Sequence, residues 1–399
     1  MTISQNAKKA IYIGTLCSVS YLAVYFARNI LGAVTPHMLE DGFSEAFIGS
    51  VSSVYFLCYA VGQLINGIIG DKIKAKYMIS LGLLLAGISN MLFPAMTAVN
   101  LSGANAMFGC TGFFLAMIYG PMTKVVAENT EPIYATRCSL GYTFASFLGS
   151  PMAGVAAAVL VWQGVFFAST AFLVIMAMLA FIIFTIFEKK GFVSYNQFKI
   201  QKEEKGGSIG VLIKHRIIRF TLISAVTGVT RTTVVFWMPT YFKQYLGFSA
   251  DTAALIFTVA SFIISFATFL AVFVYEKLRH NMYRALFVFF FVSSLFFILM
   301  YFVKAPSVNI VLFVVAVLAA DAAAAIMWSR YCPGLRDTGM VSSATGFLDF
   351  ISYGAAALSS VIFANAVSAI GWDNLILVWF ALMAFGTIIT IPKRNKGEQ

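Results

Sequence analysis

Long apolar runs, interrupted at turn-rich or charged points, repeat from one end of the chain to the other. Twelve can be drawn, at 10–34, 46–70, 77–96, 104–124, 138–160, 164–187, 217–243, 251–275, 283–303, 307–330, 341–370 and 372–391. Each is near the roughly 20 residues that cross a hydrocarbon layer as a helix, and the longer ones allow tilt. The runs are continuous and lack the short two-residue alternation of barrel strands, so the pattern predicts helices. The first run is too long for a cleavable leader and keeps an arginine, so it reads as a span.

Composition agrees with the pattern. Of 399 residues, 60% are hydrophobic and 11% charged, with mean hydropathy +0.87. A soluble chain carries about 25% charged residues, so a pair of soluble domains is excluded. The expectation is a multi-pass protein of the cell inner or plasma membrane. Five cysteines, odd in number and in or beside the runs, read as small buried apolar residues and do not suggest a disulfide framework.

The net charge of +11 has a topological cause. With the amino terminus placed in the cytoplasm, 23 of the 27 lysines and arginines fall on the inner side. They include Lys72, Lys74 and Lys76, the run from Lys189 to Arg219, and Lys393, Arg394 and Lys396. Lys243 and Lys304 fall outside. That asymmetry follows the positive-inside rule, so both termini are expected in the cytoplasm and the charge implies no nucleic-acid partner.

The polar stretch 188–219 separates two segments of similar length, 1–187 and 220–399, each with six runs. Internal echoes support a duplication. Arg28 is followed eight residues on by Pro36 and then by Gly42-Phe43-Ser44. Arg231 is followed at the same offset by Pro239 and then by Gly247-Phe248-Ser249. At the inner end of the second run stands Gly67-x-x-Gly70-Asp71-Lys72-x-Lys74-x-Lys76, and the eighth ends in Glu276-Lys277. An acid followed by basic residues at two equivalent helix ends reads as a cytoplasmic gate formed by Asp71, Lys72, Glu276 and Lys277.

Arg28 and Arg231 are the two basic residues left inside runs. A mid-membrane charge costs about 2.5–3.5 kcal/mol on insertion scales, so each needs a reason. One reading is a structural ion pair with Asp321 or Asp349 of another helix. The other is an anion clamp, because guanidinium forks match carboxylate or phosphate oxygens two at a time. Helical spacing sets Ser18, Tyr21, Tyr25 and Arg28 on one stripe, Tyr55, Tyr59, Gln63 and Asn66 on a second, and Ser224, Thr227 and Arg231 on a third. Asp321 and Asp349 are candidates for proton coupling, with a helix–helix hydrogen bond or ion pair as the equal alternative. The three histidines suggest no metal site. No nucleotide loop or nucleophile arrangement points to an enzyme, and no cofactor is implied.

The six-plus-six pattern, the central stretch and the Gly67–Lys76 run resemble the major facilitator superfamily. That implies an all-α membrane protein of twelve transmembrane helices in two pseudo-symmetric six-helix bundles. A closer resemblance is to the organophosphate:phosphate antiporters, which exchange glycerol phosphate or hexose phosphate. It is carried by Tyr21-x-x-x-Tyr25-x-x-Arg28, Glu40-Asp41-Gly42-Phe43-Ser44, Trp237-Met238-Pro239-Thr240-Tyr241-Phe242-Lys243 and Gly120-Pro121-Met122-Thr123-Lys124. The resemblance implies that Arg28 and Arg231 grip the substrate, with Tyr21, Tyr25, Tyr59, Gln63 and Tyr119 lining the cavity. Gln63 stands where the family has a lysine, Ser146 and Leu148 are nearest its histidine, and Asn29 and Phe236 replace a charge pair.

Three functions stay open at this point. One is exchange of a small organic anion, such as a sugar or glycerol phosphate, for inorganic phosphate. The second is proton-coupled symport of a carboxylate such as a sugar acid. The third is a membrane receptor for a sugar phosphate. In each the partners are a small anion, phosphate or a proton, and the lipid bilayer, and the chain is expected to act as a monomer.

Overall fold

The computed structural model describes residues 4–201, 207–248 and 250–391, and among them helices account for almost all regular structure. The helices follow the twelve apolar runs. They are α1 (Gln5–Glu40), α2 (Glu45–Gly70), α3 (Ala75–Thr97), α4 (Leu101–Asn129), α5 (Pro132–Val159), α6 (Trp162–Lys189), α7 (217–244), α8 (250–277), α9 (Met282–Phe302), α10 (Pro306–Thr338), α11 (341–370) and α12 (372–390). A short helix, Gly207–Lys214, precedes α7. Among the described residues nine helical segments are long and apolar enough to cross a membrane, with Ile217–Val229 a shorter apolar one. Gly371, at φ 73°, kinks the chain between α11 and α12.

Proline explains where several helices are interrupted. A proline lacks the N–H that the carbonyl four residues earlier would accept, and its ring crowds that carbonyl. In α4 the helix loosens at 116–118, a stretch that contains Met117, four residues before Pro121. A π turn at Thr230–Val234 in α7 comes just before Pro239, and a second at Met327–Tyr331 in α10 comes just before Pro333.

The repeated Gly-Phe-Ser tripeptide turns the corner between helices. Gly42 and Gly247 take φ of 89° and 78°, a left-handed conformation that glycine adopts without a Cβ clash. The following Phe43 and Phe248 N–H groups reach back to the carbonyls of Met38 and Phe242. Ser44 then caps α2 by accepting from the Phe47 N–H at 3.2 Å. Ser249 lies outside the described residues, as do Lys393, Arg394 and Lys396 and the linker core from Lys202 to Gly206.

The chain forms two compact units, Met1–His215 with Tyr331–Phe350, and Arg216–Arg330 with Ile351–Gln399. In the first, α1 packs on α5, and α3 on α4 and α6. Its aromatic core joins Phe93, Phe108, Phe166 and Trp162, whose Nε1 donates to Asp41 at 2.7 Å. In the second, α9 packs on α10. Its core gathers Tyr241, Phe297, Phe313 and Trp379, and the Tyr241 hydroxyl donates to Asn309. Buried hydroxyl and amide groups of this kind need partners, and here they find each other.

Candidate functional site

In the first unit the tyrosine stripes converge around Arg28. The guanidinium carbon lies 5.2 Å from the ring centroids of both Tyr25 and Tyr59, and 5.4 Å from that of Phe56. Electron-rich ring faces stabilise a cation without supplying a counter-charge. Tyr25 and Arg28 are only partly buried, while Tyr21, Tyr55, Tyr59 and Tyr119 are buried. Tyr21 stacks on Tyr119 at 5.2 Å and meets Tyr25 edge-on at 5.0 Å. The cluster therefore draws on α1, α2 and α4.

Two members escape a reading by spacing alone. Phe56 adjoins the α2 stripe, and Tyr142 on α5 closes edge-on against both Tyr21 and Tyr119. Gln63 is buried, and among the described residues its Nε2 has no hydrogen-bond partner. A buried amide donor left unmet is costly. Asn66, expected on the same stripe, instead donates to the Phe113 carbonyl at 3.2 Å and ties α2 to α4. Asp349 is buried and within electrostatic reach of Tyr21 and Tyr119.

In the second unit Arg231 lies in the α7 π turn with Asp321 of α10 nearby, Nε to Oδ1 4.0 Å. The π turn begins between Thr227 and Arg231, so the two do not share one unbroken α-helical stretch. Thr227 is buried and its hydroxyl donates to the Ile223 carbonyl at 2.9 Å, within its own helix. Ser224 is also buried.

The gate candidates behave unequally. Asp71, just after α2, spans the first turn of α11. Its Oδ1 accepts from the Ser342 N–H at 2.9 Å and its Oδ2 from the Ser343 N–H at 2.8 Å. The first N–H groups of a helix have no partner within it and carry the positive end of its dipole, so a carboxylate satisfies both needs. Burial pushes the Asp71 carboxyl above its ordinary value, while the hydrogen bonds from Ser343 and Ser342 and the Lys124 ammonium oppose that shift. Lys124 is almost fully buried. It donates to the Asp71 carbonyl at 2.7 Å and to Asn196 Oδ1 at 2.9 Å, and lies 3.9 Å from Glu128. Sequence spacing gives no hint of this lysine's place.

Lys72 joins through its backbone, its carbonyl accepting from Asn196. The neighbouring Lys74 and Lys76 pair with Glu188 of α6. In the second unit Lys277 lies over Phe273 at 4.5 Å, and the Glu276 carbonyl accepts from the Arg279 N–H. The first unit thus has a carboxylate-capped helix terminus, and the contacts described for Glu276 and Lys277 are local. Among the described residues no cluster of histidine, cysteine or acidic side chains is arranged to hold a metal ion.

Residues 17–360 match the Major Facilitator Superfamily. The chain is similar to the glycerol-3-phosphate transporter of Bacillus subtilis (strain 168), 23% identical over 263 residues that cover 60% of this chain and 59% of that protein. It is also similar to the membrane sensor protein UhpC of Escherichia coli (strain K12), 32% identical over 82 residues, 20% of this chain and 19% of that one. The matches thus span less than two thirds of these relatives. Among solved structures, the outward conformation of the transporter FucP superposes with a TM-score of 0.75 at 13% identity, over 96% of this chain and 100% of that one. At that identity the likeness speaks to the fold.

Proposed function

We infer that this chain, which belongs to the Major Facilitator Superfamily, is a secondary transporter of a small organic anion that works by alternating access. The favoured cargo is a phosphate ester of a sugar or glycerol, exchanged for inorganic phosphate. The protein moves this solute and does not transform it. The observation that carries the reading is Arg28, a partly buried cation set among the rings of Tyr25, Phe56 and Tyr59. A guanidinium fork held at the ring faces suits the paired oxygens of an anion brought by the cargo. Arg231 is the second anion-binding side chain, with Tyr21, Tyr25, Tyr59, Gln63 and Tyr119 shaping the cavity. Similarity to a glycerol-3-phosphate transporter supports a phosphate ester.

In this reading the chain acts as a monomer, two six-helix segments (1–187 and 220–399) joined by 188–219, with both termini on the cytoplasmic side. The carboxylate of Asp71 and the start of α11 form the cytoplasmic latch.

Proteoliposomes loaded with phosphate test the cargo. Uptake of labelled glycerol 3-phosphate that requires internal phosphate and continues without a pH gradient is the expected result. Uptake that needs a pH gradient and no internal anion points to proton-coupled symport. Binding with no flux points to a receptor, a role named for the similar sensor protein UhpC.

A further inference from the structure

Asp321 is the acid whose surroundings the transport reading leaves unexplained. It lies on α10 between Ala319-Ala320 and Ala322 to Ala325, so no neighbouring side chain on its own helix can hydrogen-bond to it. Its side chain is 9% exposed, and Oδ1 has no hydrogen-bond partner among the described residues. A buried carboxylate oxygen with unmet lone pairs is expensive unless a partner or a proton compensates it.

The compensating charge is Arg231, and the contact is loose. Nε stands 4.0 Å from Oδ1, whereas a fork closed on a carboxylate brings N and O to about 2.7–2.9 Å. Arg231 is also the more accessible partner, its side chain 30% exposed. It sits in a π turn, a local widening of the helix often found at functional sites. The guanidinium can thus be reached by a ligand while a buried carboxylate attracts it from within the protein.

The other charged groups on helices packed against α10 lie near helix ends. They are Arg219 at the start of α7 and Lys243 at its end, Asp251 at the start of α8, Glu276 and Lys277 at its end, and Arg284 at the start of α9. Tyr275 adjoins Glu276 and faces Arg330. Among the described residues, the charged side chain that acts on Asp321 is Arg231.

We propose that Asp321 is a proton site that competes with the cargo anion for Arg231. While ionised it holds part of the guanidinium's field, and an arriving anion must displace that attraction. When Asp321 takes a proton from bulk water, the competition ends and Arg231 is given over to the cargo. Anion binding and proton uptake are then linked, each favouring the other. The inference rests on the reading of Arg231 as an anion-binding residue and names the regulation of that site.

The test compares wild type with Asp321→Asn, full length in nanodiscs, by calorimetric titration with inorganic phosphate and with glycerol 3-phosphate between pH 5 and pH 8. The comparison at each pH cancels the ligand's own ionisation. At pH 8 the asparagine variant should bind about 10-fold or more tightly than wild type, and the two should converge towards pH 5. Wild type titrated in buffers of different ionisation enthalpy gives a readout that needs no variant. It should take up protons beyond those the ligand accounts for. Equal affinities at every pH, weaker binding by the variant, or ligand-only proton uptake each overturn the proposal while leaving the anion site standing. Wild type that binds neither anion overturns the anion reading and this inference with it.

Discussion

Asp71 and Ser342 stand 271 residues apart in the chain and are joined by a 2.9 Å hydrogen bond from the serine N–H to the carboxylate. With the companion bond from Ser343, this carboxylate completes a helix terminus that no neighbour in sequence supplies. The contact needs two acceptor oxygens. Asp71→Asn keeps one acceptor and presents an amide donor to the other N–H, leaving a buried donor unmet at about 1–3 kcal/mol. Because the defect lies at the latch and away from the cargo arginines, maximal exchange rate should change while KM stays within about twofold. Initial-rate measurements over a range of substrate concentrations decide it, and a change confined to KM would rule out a latch.

Lys124 holds the same region together from beneath. Besides Asp71 it reaches Asn196 in the stretch 191–201 after α6, where Asn129 also exchanges two hydrogen bonds with Ser194. Further along, Gln201 donates to the carbonyls of Asp337 and Thr338 just before α11. Lys124→Met would strand the buried carboxylates of Asp71 and Glu128, a loss of about 3–5 kcal/mol when one partner of a buried charge set is removed. The variant should unfold at lower temperature and be cut faster by chymotrypsin near Tyr195 and Phe198. Unchanged cleavage would mean that Lys124 does not anchor this stretch.

The start of α11 also lies unusually close to α2. A Cβ on Gly346 would collide with the Gln63 carbonyl and come within 2.9 Å of the Gly67 Cα. These are backbone atoms, which cannot swing aside, so Gly346→Ala should destabilise by about 1–3 kcal/mol through overpacking. Gly354, on the same helix, has nothing within 4 Å of its Cβ position. There alanine should be neutral or stabilising by up to about 1 kcal/mol, through helix propensity. Thermal unfolding of the two variants side by side checks the contrast.

How far the sequence foretells these features depends on the distance over which each interaction acts. Apolar runs report helices directly, since the bilayer demands continuous apolar stretches and the chain supplies them. The grouping of Tyr21, Tyr25 and Arg28 is readable because three- and four-residue offsets share a helix face. Tyr142 and Lys124 join their clusters from other helices, and no local period signals that. The Gly-Phe-Ser repeat is visible as text, while its cause, a left-handed glycine followed by a helix cap, needs backbone angles. The π turn that holds Arg231 is not announced by the apolar pattern, and nearby Pro239 is the local sign of it. An ion pair between a buried arginine and Asp321 or Asp349 is one expectation from the sequence, and Arg231 Nε lies 4.0 Å from Asp321 Oδ1.

The proposed role of Arg28 as an anion-binding fork is tested most directly by phosphate-dependent uptake of labelled glycerol 3-phosphate by Arg28→Lys. Lysine keeps the charge and loses the paired donors. Wild type in phosphate-loaded proteoliposomes should accumulate the ester, and the lysine variant, inserted to the same level, should fall by on the order of 10- to 100-fold, the value of a charged hydrogen bond. A lysine variant that exchanges at the wild-type rate would contradict the account.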